Sequence, residues 1–129
     1  MGFDFYIHLC FSMCPSTGKP YVWKHTPEGV EKDYQLPTVV VPEEHRRFLQ
    51  LRGRFLHIYT DEFNENDIFS ADIDALLEKF PGWDFIKNDT RYSEYAENCD
   101  WTEKDHYEFK AALEWCLSQP HWYMANWNY

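Results

Sequence analysis

Two cysteines and two histidines near the start of the chain have the residue types of a zinc site: His8, Cys10, Cys14 and His25. Thiolate sulfur and imidazole nitrogen bind zinc at about 2.0–2.3 Å. In an extended strand His8, Cys10 and Cys14 share one side, and a turn at Thr17-Gly18 brings His25 opposite Cys10. These four side chains are therefore the candidate metal ligands, with zinc as the candidate cofactor. The alternative is that they pack in the core, where free cysteine is common.

A second candidate is the pair His57 and Asp61. If residues 54–61 stay extended, both side chains lie on one face, where a carboxylate can orient a general base. No nucleophile accompanies them, and the chain lacks the G-x-S-x-G, P-loop, G-x-G-x-x-G and H-E-x-x-H motifs. The acidic residues 61–67 do not match an EF-hand, which leaves a weak cation site or a solvated loop. We assign no catalytic residue and keep an enzyme as the alternative.

Aromatic side chains concentrate toward the end of this acidic chain. Phe, Trp and Tyr make up 19% of the residues, beside 22 Asp and Glu and 12 Lys and Arg. The helix predicted over 102–119 has apolar rows on two nearly opposite sides, which is typical of a helix between two layers or of one that shows a row to a partner. Trp and Tyr often anchor protein interfaces. The predicted partner-binding side chains are Tyr107, Trp115, Trp122, Tyr123 and Trp127. The alternative is that these rings complete the core.

The charge differs between the two halves of the chain. Residues 1–60 carry six acidic and seven basic side chains, whereas residues 61–129 carry sixteen and five. Negative charge repels nucleic-acid phosphates and anionic lipid, so we expect no nucleic-acid and no membrane partner, and a basic protein is favoured. No apolar run reaches the roughly 18–20 residues that span a bilayer. Without a secretory signal or a dense cysteine framework, the expected location is the cytoplasm.

The elements that position these residues follow from periodicity and turn residues. Residues 3–12 alternate as a half-buried strand, and residues 21–25 return as the second strand of a hairpin. Further predicted elements are helices over 42–52, 70–80 and 102–119 and short strands over 54–59 and 83–87. The order favours one α+β domain, residues 1–129, with an N-terminal hairpin and short antiparallel sheet packed against about three helices. Its β-rich, near-neutral part is residues 1–60, and its acidic helical part is residues 61–129.

The opening residues Met1-Gly2-Phe3-Asp4-Phe5-Tyr6-Ile7 carry a resemblance. They resemble the starts of small uncharacterised proteins encoded by large DNA viruses of algae and amoebae. The resemblance implies an accessory, host-interaction or virion protein and supplies no catalytic residue. The functional hypothesis is a non-enzymatic protein-interaction module that self-associates or binds a basic partner. The alternative is a small metal-binding protein or enzyme that uses the His/Cys cluster of the hairpin.

Overall fold

The computed structural model describes residues 3–63, 69–95 and 100–128. Within these ranges the chain forms an α+β fold, as predicted, with two antiparallel sheets and six α-helices. The strands are β1 (Asp4–Leu9), β2 (Phe11–Met13), β3 (Pro20–Thr26), β4 (Gly29–Asp33), β5 (Gln50–Arg52), β6 (Ser70–Asp72) and β7 (Tyr123–Asn128). The helices are α1 (Glu43–Arg46), α2 (His57–Thr60), α3 (Ile73–Glu78), α4 (Trp83–Lys87), α5 (Thr90–Tyr95) and α6 (Glu103–Ser118).

The larger sheet has four strands in the order β5–β1–β7–β6, and neighbouring strands are antiparallel. β1 and β7 pair along their whole length, from Asp4 opposite Asn128 to Leu9 opposite Tyr123. β5 pairs with the other side of β1 as far as Tyr6. The centre of this sheet therefore joins segments from opposite parts of the sequence.

One face of the larger sheet forms the main core. Phe5 and Ile7 of β1 and Ala125 and Trp127 of β7 are all buried. Phe5 packs edge-on against Phe109 of α6, with 5.6 Å between ring centroids. Because strand side chains alternate, the intervening residues of β1 and β7 lie on the opposite face and are half-buried or exposed.

The longest described helix, α6, begins with a capping box. The Thr102 hydroxyl accepts the Asp105 N–H at 3.4 Å, and the Asp105 carboxylate accepts the Thr102 N–H at 2.8 Å. This confirms the helix predicted over 102–119. Its buried residues repeat at helical spacing: His106, Phe109, Ala112, Leu113 and Cys116. No helix in the described part of the chain is long and apolar enough to cross a membrane.

The smaller sheet has three strands in the order β2–β3–β4. Its buried side chains are Tyr21 and Val22 of β3, and neither belongs to the main cluster of buried side chains. β3 pairs with β2 from Val22 opposite Phe11 to Pro20 opposite Met13. The smaller sheet therefore has almost no interior of its own.

The turn after α6, residues 120–122, joins the two sheets. The chain leaves β1 for β2 at Cys10, whose backbone N–H donates to the Trp122 carbonyl at 2.8 Å. The Trp122 N–H donates in turn to the Trp23 carbonyl of β3 at 3.0 Å. Trp122 therefore continues the pairing of β1 with β7 and also holds β3.

Several predicted elements are corrected by the structure. The helix predicted over 42–52 is limited to α1 and a 3₁₀ turn, after which β5 begins. Residues 54–59, predicted as a strand, form a 3₁₀ turn and the start of α2. The buried residues there follow helical rather than alternating spacing: Phe55, Leu56, Ile58 and Tyr59. Residues 83–87, also predicted as a strand, form α4.

The predicted hairpin is also rearranged. β3 pairs with the short β2, whereas the longer β1 pairs with β5 and β7. The strand predicted over 3–12 is interrupted at Cys10, where the chain changes sheets. β6 precedes the helix predicted over 70–80, which is confirmed from Ile73 to Glu78.

Candidate functional site

The structure separates the four predicted zinc ligands: His8, Cys10, Cys14 and His25. Residues 120–122 lie beside the end of β3, where Lys24 forms a bridge with His121. His25 therefore faces this turn instead of Cys10. Across the described ranges, no three His, Cys, Asp or Glu side chains are grouped to hold a metal ion. The predicted zinc site is not formed by these residues.

Both histidines of that set have other partners. His8 Nδ1 donates to its neighbour's carbonyl, that of Leu9, at 2.8 Å, and His8 Nε2 contacts the Asn126 side-chain oxygen. His25 Nδ1 accepts the indole N–H of Trp122 at 2.7 Å. An indole N–H can only donate, so this contact requires an unprotonated Nδ1 on His25. These contacts orient the imidazoles within the sheets.

The two cysteines of that set, Cys10 and Cys14, differ in pKa. Hydrogen bonds from Ser16 and Thr17, first from their hydroxyls and then from their backbone N–H groups, lower the pKa of Cys14 to about 6. Burial, followed by the charge of Asp72, raises the pKa of Cys10. At neutral pH Cys14 is therefore mainly a thiolate and Cys10 a thiol.

His57 and Asp61 do come close, with 3.8 Å between Nδ1 and Oδ1. Asp61 is also paired with Arg91, and burial lowers the pKa of His57 more than Asp61 raises it. A cavity of about 350 Å³ lies beside Asp61, and its described lining contains no Ser, Thr, Cys or His. The described lining of this cavity therefore places no serine, threonine or cysteine nucleophile beside Asp61. Most of the acidic loop predicted as a weak cation site, residues 64–67, lies outside the described residues.

Two of the five predicted partner-binding rings belong to the core. Tyr123 is 8% exposed and Trp127 is 4% exposed. Trp127 stacks on Phe5 across the β1–β7 pair, with 6.2 Å between ring centroids. Their positions in a central strand explain this burial, since alternate residues of β7 face α6. The prediction that Tyr123 and Trp127 bind a partner is therefore corrected.

The other three rings are not grouped into one surface patch by any described contact. Trp115 and Trp122 are half-buried, and Trp115 packs against Tyr123 at 5.9 Å between ring centroids. Tyr107 is 53% exposed on α6. Of the five predicted rings, only Tyr107 and the exposed parts of Trp115 and Trp122 therefore remain for a partner.

Exposed apolar side chains concentrate instead between residues 11 and 40. Of the nine large apolar side chains that are exposed among the described residues, six lie in this segment. These six are Phe11, Met13, Val30, Tyr34, Leu36 and Val40. We call residues 11–40 the apolar segment. In the sequence Phe11 continues the alternation of residues 3–9, and the change of sheet at Cys10 places it instead in an exposed edge strand.

The edge strands of the described sheets differ in charge. β4 carries Glu31 and Lys32, β5 ends at Arg52 and β6 ends at Asp72. β2 consists of Phe11, Ser12 and Met13 and has no charged residue. Charged side chains on edge strands are a common protection against pairing with another chain. β2 is the described edge strand that lacks this protection.

Arg47 illustrates how the basic residues of the first half pair with the acidic half. It lies 2.5 Å from Asp105 and 2.9 Å from Glu108 of α6. These contacts lower the pKa of Glu108 below its ordinary value. Arg47 therefore links the first half of the chain to two carboxylates of the acidic half.

No protein-family model, no curated protein and no solved structure matches this chain. The site must therefore be interpreted from its own geometry and charge.

Proposed function

We propose that this protein is a non-enzymatic protein-interaction module that self-associates or binds a basic partner, with the apolar segment as its contact region. The observation that carries the proposal is the concentration of exposed apolar side chains between residues 11 and 40. Large apolar side chains gain roughly 25 cal/mol for each Å² removed from water. A second protein that covers this segment supplies that gain.

The charge of the chain limits the kind of partner that is favoured. The formal net charge is −10 at pH 7, and the acidic excess lies in residues 61–129. A basic protein is attracted over long distances by this half, which raises its association rate, while apolar contact with residues 11–40 provides affinity. A second copy is accommodated through the near-neutral half, where like-charge repulsion is smallest.

Phe11 and Tyr107 provide a matched test, because both are 53% exposed and lie in different halves of the chain. Sedimentation velocity of the wild type, Phe11→Asp and Tyr107→Asp across a dilution series measures self-association. Titration with an arginine-rich peptide, followed by calorimetry, measures basic-partner binding. We expect Phe11→Asp to weaken association about tenfold or more, equal to about 1.4 kcal/mol, and Tyr107→Asp to leave it unchanged.

Circular dichroism establishes that both variants keep the wild-type fold. A wild type that stays monomeric at all concentrations and does not bind the peptide contradicts the proposal. Loss of association in Tyr107→Asp alone contradicts the assignment of the contact region, because it returns the interface to the aromatic row of α6.

A further inference from the structure

We infer that two copies of this chain pair through the outer edges of their β2 strands, antiparallel, across a two-fold axis at Ser12. This inference rests on the proposed interaction role and names a second copy as the partner. The unprotected edge of β2 carries it, because the other described edge strands are charged.

The backbone directions at β2 identify the groups that are available for pairing. The Cys10 N–H points inward to Trp122, and the Cys14 N–H points inward to Lys19 at 2.9 Å. Backbone N–H and C=O groups alternate in direction along a strand. The Ser12 groups therefore point inward to β3, and the N–H and C=O groups of Phe11 and Met13 point to the outer edge.

These outward groups are self-complementary. An antiparallel pair centred on Ser12 places Phe11 opposite Met13 of the second copy, and Met13 opposite its Phe11. Both are hydrogen-bonded positions, at which two opposed residues exchange both of their N–H···O=C bonds. Ser12 meets its own copy at the intervening position, which needs no backbone hydrogen bond.

The side chains at the edge fit the same register. Phe11 is 53% exposed and Met13 is 55% exposed. Phe11 shares a sheet face with its β3 partner Val22, and Met13 with Pro20. Residues directly opposite in an antiparallel pair lie on the same face, so each copy adds its Met13 beside Phe11 of the other. An apolar row of Val22, Phe11, Met13 and Pro20 then crosses β3 and β2 of one copy and β2 and β3 of the other.

Charge favours a second copy over a basic protein at this edge. β2 offers no carboxylate to a basic partner. Two copies repel each other most strongly where sixteen acidic side chains face only five basic ones, which is in residues 61–129. Contact through β2 lies in the half with six acidic and seven basic side chains. A second copy at this edge brings the two near-neutral halves together, which keeps the repulsion between two acidic chains smallest.

The assembly stops at two copies. Pairing of β2 uses one edge of the smaller sheet, and the opposite edge, β4, carries Glu31 and Lys32. A two-fold contact closes on itself and leaves no further β2 edge. An interface of a few residues is small, so the dimer is weak and reversible.

The register brings two cysteines together. With Ser12 at the axis, Cys10 lies opposite Cys14 of the second copy, and the contact occurs twice. Opposed residues at positions without backbone hydrogen bonds have Cα atoms about 4.5 Å apart, which a disulfide can span. A disulfide can therefore trap the dimer and report its register.

The experiment uses the full-length chain with Cys99→Ser, to which either Cys10→Ser or Cys14→Ser is added. Copper–phenanthroline and dissolved dioxygen serve as the oxidant. Each linked pair of thiols loses two protons and two electrons, which dioxygen takes up to form water. Either single variant alone has a cysteine opposite a serine and stays monomeric on a non-reducing gel. An equal mixture of the two has one Cys10–Cys14 pair in each mixed dimer and yields a cross-linked dimer.

Mass spectrometry of the cross-linked band identifies the joined peptides, and a Cys10–Cys14 link supports the inference. Equal cross-linking in the separate variants overturns it, since that result reports random collisions. A mixture that stays monomeric also overturns it. If sedimentation then still detects a dimer, the interaction role survives with a different interface. If sedimentation finds only monomer and the arginine-rich peptide is not bound, the proposed function fails as well.

Discussion

The two sheets of this protein differ in how they place their apolar side chains. The larger sheet is covered by α6 and supplies or contacts most of the buried side chains, including Phe5 and Trp127. The smaller sheet buries only Tyr21 and Val22 among its described strands, yet it and the segment after it hold six of the nine large apolar side chains that are exposed among the described residues. Apolar residues are therefore placed in two ways: those of the larger sheet stabilise the fold by burial, whereas several of those in the smaller sheet stay exposed.

Surface contacts partly replace an interior in the smaller sheet. Tyr21 packs edge-on against Trp23, with 5.4 Å between ring centroids. The Lys32 ammonium lies 4.8 Å from the Tyr21 ring centre, in the range of a cation–π contact. In the turn at residues 120–122, which joins the two sheets, His121 Nε2 lies 2.9 Å from Asp33 Oδ2. These contacts are individually modest, so the smaller sheet depends on its attachment to the larger one.

The largest expected effect tests the core. Phe5→Ala removes a fully buried ring from the centre of the larger sheet and is expected to lower the free energy of unfolding by about 3–5 kcal/mol. Val22→Ala in the smaller sheet removes less buried surface and is expected to lower it by about 1–2 kcal/mol. Urea unfolding followed by tryptophan fluorescence measures both. Equal losses would show that the smaller sheet shares the main core.

A second prediction concerns the loss of stability at acidic pH. His106 of α6 is 1% exposed, and its Nδ1 lies 2.7 Å from the Tyr59 hydroxyl. The Trp101 indole donates to the same hydroxyl, so the Tyr59 hydrogen is directed to a neutral His106. Burial, followed by the charge of Lys110, lowers the pKa of His106 to about 4.

The sign of the pH effect follows from this shift. Between about pH 6.5 and pH 4 the unfolded chain binds a proton at His106 that the folded chain does not, so stability rises with pH there. We expect acidification from about pH 6.5 to pH 4 to lower the free energy of unfolding by about 3 kcal/mol. Above about pH 6.5 this contribution to stability is fully present. The control is His106→Gln, whose unfolding free energy should vary less over the same range. Parallel pH profiles for the two proteins would contradict a role for His106.

The smallest expected effect tests the surface ion pairs of α6, the helix that covers the larger sheet. The Arg47 side chain is 50% exposed and pairs with Asp105 and Glu108. Arg47→Gln is expected to lower the free energy of unfolding by no more than about 1 kcal/mol, and less at high salt. Urea unfolding at two salt concentrations measures this. A loss as large as that of Phe5→Ala would mean that ion pairs, rather than burial, hold α6 on the sheet.

The predictable parts of the fold are those with a long, unambiguous pattern. Residues 3–9 alternate cleanly, and residues 102–118 combine a capping box with helical spacing, so β1 and α6 followed from sequence. Residues 54–59 and 83–87 are short, and a short apolar run fits both a strand and a helix. Tertiary packing decides such segments, and it made both helical.

The candidate site was less predictable, because it depends on where the chain changes sheets. Tyr123, Ala125 and Trp127 alternate with Met124 and two asparagines, so a partial strand signal was present in the C-terminal segment. Its high aromatic content favoured an interface instead. For Phe11, no local signal separates it from the buried residues before it. Only the change of pairing partner after Cys10, from β7 to β3, shows that β1 ends there.

The turn at residues 120–122 couples the registers of the two sheets. Trp122 is bonded to Cys10 on one side and to Trp23 on the other, and Pro120 accepts the His25 N–H at 2.8 Å. A slip of β7 along β1 by one residue would turn its side chains to the opposite face. Here such a slip would also break the hydrogen bonds to β3. Pairing with the smaller sheet thus fixes the alignment of β1 and β7, although the smaller sheet adds almost nothing to their core.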